Sequence, residues 1–156
     1  MNFKVNIMKI KFLLFLFSFL SVFTSSATRY KVENIEQFNQ KAKILQPGDS
    51  LILSNGVWKD CEFKLKANGQ EGKSIYLTAE IPGKVFIEGK SRLQFSGKFI
   101  HISGLVFRNG YTPKSVVVEF RTSSNEYAYN SILSNCVIDR FNNHKDSADH
   151  WVGIYG

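Results

Sequence analysis

The residues in this chain best suited to binding chemistry are Arg121 and Tyr155. Val118-Glu119-Phe120-Arg121 can be laid over Val152-Gly153-Ile154-Tyr155, thirty-four residues later, with apolar positions in step. If Val118, Phe120, Val152 and Ile154 point inward from strands, alternation sends Arg121 and Tyr155 to the outer face. An arginine there can hold a carboxylate bidentately, and a tyrosine ring can lie against a sugar while its hydroxyl bonds to it. Trp58 and Trp151 are further candidates for an aromatic platform, although Trp58, at the end of an Asn-Gly-Val-Trp run, is read first as a packing residue. The stretch "NNHKDSADH" brings His144, Lys145, Asp146, Asp149 and His150 close in sequence. Two histidines six residues apart match no His-x3-His spacing, and acid–base work needs a partner within hydrogen-bond reach. This stretch is therefore read as a solvated loop, and no catalytic residue or metal ligand is assigned from spacing. Cys61 and Cys136 match no zinc pattern. Export would make a disulfide between them chemically possible, but Cys136 in "LSNCVI" stands where a small core hydrophobe is expected.

Those residues need a frame to position them, and the start of the chain must first be set apart from it. Lys4, Lys9 and Lys11 precede a run from Phe12 to Phe23 that is apolar except for Ser18 and Ser21, and Ser25 and Ala27 follow. This is the pattern of a signal peptide over residues 1–27, cleaved after Ala27, and the run is too short for a membrane span of about 20 residues. The expectation is a secreted or periplasmic protein with no membrane association after cleavage. Loss of those three lysines lowers the net charge from +7 to +4. The surplus favours an anionic partner, and in an exported chain without a basic helix that partner is an acidic polysaccharide rather than nucleic acid.

One helix is expected, in "NIEQFNQKAKIL" from about Asn34 to Leu45, with Ile35, Phe38, Ala42 and Leu45 on one face. Asn34 caps it, Gln37 completes a capping box and "QPGD" ends it. The remainder reads as short strands separated by Gly, Asn or Ser. "ISGLVF" at residues 102–107 returns as "LSNCVI" at residues 133–138, thirty-one residues later, beside the second repeat at thirty-four. The fold class is therefore all-β, a right-handed parallel β-helix whose first coil is covered by the helix. The stretches "RNGYTPK" and "RTSSNEYAYN" are expected as excursions from the coil. Because "WVGIYG" reads as a strand with no cap after it, residues 28–156 are expected to be the amino-terminal part of a longer β-helical domain, truncated at its C-terminal end and, alone, catalytically silent.

In this order, "PGDSLILSNGVWKD", "GKSIYLTAEIPGKVFIEGKSRLQFSGKFIHISGLVFRNG" and "NSILSNCVIDRFN" resemble the amino-terminal region of polysaccharide lyase family 6, the chondroitinase B and alginate lyase group. Ser74 departs from it, standing where the family often has proline. The resemblance implies a parallel β-helix and β-elimination at a uronic acid, with alginate the first substrate and chondroitin- or dermatan-type glycans the second. It also implies calcium in the full-length enzyme to acidify the C5 proton, a lysine base, and an arginine that assists the departing oxygen. Those residues and the calcium ligands fall beyond the equivalent of Gly156, so none is carried onto this chain, and no calcium is expected to be bound by this segment. A noncatalytic β-helical carbohydrate-binding or adhesion protein is the alternative.

Overall fold

The computed structural model describes residues 26–141 and 150–155. The apolar run of the expected signal peptide, and His144, Lys145, Asp146 and Asp149, lie outside the described residues.

Strand β1 (Arg29–Val32) leads into helix α1 (Ile35–Ala42). Asn34 caps the helix as expected, its Oδ1 accepting the Gln37 N–H at 2.9 Å. Gln37 reaches back with Oε1 to the N–H of Glu33, one residue earlier than in the standard box. The helix closes at Ala42, short of the expected Leu45, with Lys43 as its C-cap. It buries Phe38 and Ala42, and the Phe38 ring meets Phe63 edge-on at 5.1 Å. This contact docks the helix on the first coil.

Each coil then contributes one strand to each of three sheets. The first is β2 (Ser50–Leu53), β3 (Gly56–Lys59) and β4 (Glu62–Asn68); the second is β5 (Ile75–Ala79), β6 (Val85–Lys90) and β7 (Arg92–Lys98). The third is β8 (Ile100–Ser103), β9 (Leu105–Tyr111) and β10 (Val116–Glu119). A hairpin of β11 (Arg121–Ser123) and β12 (Glu126–Tyr129) precedes β13 (Ile132–Ser134), β14 (Val137–Asp139) and β15 (His150–Gly153). Pairing between coils is parallel throughout, as a right-handed β-helix requires. Among the described residues, only the β11–β12 hairpin and an isolated Gln70–Lys73 bridge are antiparallel.

Both repeats read from the sequence are registers of the solenoid. Ile102 pairs with Leu133 and Phe107 with Ile138, thirty-one residues apart, and Val118 pairs with Val152 at thirty-four. Inward side chains consequently stack in ladders: Leu51, Leu77, Ile102 and Leu133 in the first sheet; Trp58, Ile87, Phe107 and Ile138 in the second; Phe63, Leu93, Val118 and Val152 in the third. Trp58 packs as expected, 5% exposed, its indole N–H donating to the Ser54 carbonyl. Val152 and Ile154 share the inward parity but are 42% and 76% exposed. The "RTSSNEYAYN" excursion is an ordered hairpin, with β12 continuing the ladder over the second half of β7 where β10 pairs with the first half. Cys61 and Cys136 are both free thiols; Cys61 is buried and Cys136 is half-buried against the core.

The coil corners repeat too. Phe99, Gly104 and Asn109 have positive φ, and so do Asn130, Asn135 and Arg140, each thirty-one residues further on. A left-handed residue turns the chain sharply, and outside glycine the conformation suits asparagine best. These corners fix where each strand starts.

Candidate functional site

The third sheet presents Arg121 and Tyr155 together. Arg121 opens β11 two residues beyond Glu119, and Tyr155 follows β15 two residues beyond Gly153, so the β10–β15 register, which sets Glu119 opposite Gly153, brings the two side chains together. The Arg121 guanidinium lies 3.5 Å from the centroid of the Tyr155 ring, a stacked cation–π contact. Gly153 makes this possible, since a Cβ there would come within 2.8 Å of the Tyr155 ring and Oη. Beneath the stack, the buried Glu119 carboxylate stands 3.6 Å from Arg121 Nη2 and accepts a hydrogen bond from Gln94 Nε2. Arg121, held on one side by a ring and below by a carboxylate, is fixed in orientation while its side chain stays 33% exposed.

An open hollow of about 310 Å³ lies at this position, lined among others by Arg92, Gln94, Lys114, Glu119, Arg121 and Ser123. Arg92 is paired to Glu62 through Nε at 3.1 Å and Nη2 at 2.9 Å. With Arg92 paired to Glu62 and Arg121 to Glu119, Lys114 leaves the hollow with a net positive charge, so it suits a carboxylate-bearing ligand.

The sequence reading and the structure agree on the Arg121–Tyr155 column. The intervening carboxylate Glu119 was missed, because a period-2 reading assigns it to the solvated face. Trp151 is 50% exposed, and His150 is exposed at the start of β15, opposite Val116. Five positions separate His150 from Tyr155, roughly 16 Å along a strand, so the two do not converge. Among the described residues no group of three or more His, Cys, Asp or Glu side chains is placed to hold a metal ion.

A second cluster stands beside the first. The Glu126 carboxylate of the hairpin binds Lys66 Nζ at 2.6 Å and accepts from the hydroxyls of Thr122 and Ser123. These donors, Lys66 first, hold its pKa down at about 2. Burial raises the thiol pKa of both Cys61 and Cys136, which makes them poor nucleophiles.

The sequence profile described as chondroitinase B matches residues 32–156. Among solved structures, the chain superposes on the alginate lyase AlyGC of polysaccharide lyase family 6 with a TM-score of 0.80 and 41% identity, over 82% of this chain and 18% of that one. A mannuronic acid specific family 6 lyase from human gut microbiota matches with a TM-score of 0.73 and 28% identity, over 83% and 31% of the two chains. The family 6 polysaccharide lyase Pedsa3628 of Pseudopedobacter saltans gives 0.68 and 28%, over 78% and 27%. The chain thus spans less than a third of the length of each of these proteins. No curated protein sequence matches it.

Proposed function

We propose a function from one premise: the chain belongs to the chondroitinase B family. It forms the amino-terminal part of an exported, calcium-assisted polysaccharide lyase that cleaves a uronate polymer, alginate before chondroitin- or dermatan-type glycans. The observation that carries this reading is the 41% identity to a family 6 alginate lyase over 82% of the chain. In the reaction the C5 proton of a uronate is removed, the C4–O glycosidic bond breaks, a C4–C5 double bond forms and the departing oxygen takes a proton. Calcium, bound by other parts of the enzyme, would acidify the C5 proton. The residues described here bind and orient. Arg121 takes the carboxylate of a uronate unit with the guanidinium donors that Glu119 leaves free, and Tyr155 keeps the guanidinium flat against the sheet.

The test uses the product of the whole reading frame containing this chain, incubated with alginate or dermatan sulfate, with and without calcium, while the ultraviolet absorbance of the unsaturated product is followed. Calcium-dependent cleavage with alginate preferred is expected. A hydrogen bond to a charged group contributes about 1.5–3 kcal/mol, so Arg121→Ala should raise KM roughly 10- to 100-fold, and His150→Ala should leave it within about twofold. Absence of product with either polymer would defeat the lyase reading. The reverse ranking of Arg121 and His150 would defeat the site assignment.

A further inference from the structure

Two hollows on the outer face of the third sheet meet at Lys66, and Arg121 lines neither. The first, about 500 Å³, lies between α1 and β4 and is lined by Asn39, Ala42, Lys43, Lys64 and Lys66. The second, about 350 Å³, continues across β7 to the hairpin, where Lys66, Asn68, Lys98, Asn125, Tyr127 and Tyr129 border it. We propose that the two form one binding track for an anionic saccharide chain, running from the cap helix to the β11–β12 hairpin.

The argument begins with charge. Phe63, Leu65 and Ala67 turn inward along β4, so Lys64 and Lys66 stand outward on one face, roughly 7 Å apart. Lys43, at the end of the helix that crosses β4, borders the same hollow. The one carboxylate lining either hollow is Glu126, and it is committed to Lys66, Thr122 and Ser123. Lys43, Lys64 and Lys98 are exposed and have no carboxylate partner among the described residues. Three uncompensated cations along a shallow path attract an extended polyanion more than a compact anion. The rest of the lining specifies its chemistry. Amides of Asn39, Asn68 and Asn125 can exchange hydrogen bonds with hydroxyls in both directions, and Tyr129, half-exposed at 51%, offers a ring edge or face to a sugar. Hydroxyls, carboxylates and flat pyranose faces occur together in an acidic polysaccharide. The saccharide class rests on the lyase reading, whereas the track itself rests on the lysines.

The probe is alginate cast into native gels, with dextran gels as the neutral reference and single-stranded DNA as a second polyanion. The whole-frame protein should be retarded by alginate and not by dextran, and the retardation should shrink with added salt. Lys43→Glu/Lys64→Glu should weaken the apparent affinity at least tenfold. Lys59→Glu/Lys84→Glu, with the same charge change on exposed positions of the second sheet's coil segments, should change it less than twofold. Circular dichroism checks the fold of each variant, and Lys98→Glu alone tests the other end of the track should the first pair not fold. Equal losses in the two pairs, or no loss in the first, would overturn the track. Stronger retention by DNA than by alginate would overturn the ligand. A protein that binds alginate through these lysines but cleaves none would sink the lyase reading and leave the track. Cleavage with unchanged retention in Lys43→Glu/Lys64→Glu would do the opposite.

Discussion

Replacing Gly97 by alanine should be among the most damaging single changes in the third sheet. Gly97 sits in β7 between Ala67 of β4 and Ala128 of β12, a column of the smallest side chains. Its φ is +113°, and a Cβ there would lie 1.8 Å from the Ala67 carbonyl oxygen and 2.9 Å from its carbonyl carbon. Because both of those atoms are backbone, no rotamer change relieves the clash, and β4 and β7 must part by roughly 1 Å or more. A ladder bond stretched that far is lost. Two such bonds at about 1 kcal/mol each, added to about 1–3 kcal/mol for a non-glycine residue in a disfavoured backbone region, give about 3–5 kcal/mol. Gly72→Ala is the matched control, since Gly72 has φ +72° but nothing within 4 Å of its would-be Cβ. That variant should cost only the backbone term. Urea unfolding followed by circular dichroism measures both. With a slope of about 2 kcal/mol per molar, Gly97→Ala should lower the midpoint by about 2 M and Gly72→Ala by about 1 M, the difference being the two ladder bonds. If the two variants agreed within about 0.5 kcal/mol, the steric reasoning would be wrong.

Two further outcomes are expected. The Glu126 carboxyl titrates at about 2, below its ordinary 4.5, so its attachment to Lys66 contributes fully above about pH 4.5 and is lost as the pH falls through about 2. Carboxyl NMR should record that value and show it moving up towards 4.5 in Lys66→Ala; an unchanged titration in the variant would show that Lys66 is not the main cause. Asn34→Ala removes the acceptor for the Gln37 N–H and should cost about 1 kcal/mol, and a loss under 0.3 kcal/mol by the same urea assay would show that the cap matters little to this fold.

The solenoid was legible because stacking repeats residue types. Ile102 and Leu133, or Val118 and Val152, occupy equivalent positions on successive coils, so the register is also a sequence offset. β4 alternates as clearly, Phe63, Leu65 and Ala67 with Glu62, Lys64 and Lys66, but it carries no repeated motif that would mark its place in the coil. The hairpin was not legible: "RTSSNEYAYN" is mostly polar, and it is held by β12 pairing with β7 and by Lys66 bonding Glu126 from sixty residues away. The same holds for the lysine track. Lys43 and Lys64 border one hollow only because α1 lies across β4, and nothing local in either segment records that crossing.

The paired corners bear on how this architecture tolerates change in length. Ile75 pairs with Ile100, twenty-five residues on, while His101 pairs with Ile132 at thirty-one, the longer coil holding the hairpin. Despite the longer coil, Phe99, Gly104 and Asn109 are matched by Asn130, Asn135 and Arg140 at a single common spacing. Each corner acts as an indexing pin: after the hairpin the next strand re-engages at the same notch, and the extra residues stay at the margin of the third sheet. The corner between the first two sheets absorbs length in the same way, since residues 80–84 join β5 to β6 whereas Gly104 alone joins β8 to β9; connections are thus separable parts, and the stacked ladders are the element that holds the coil to one dimension.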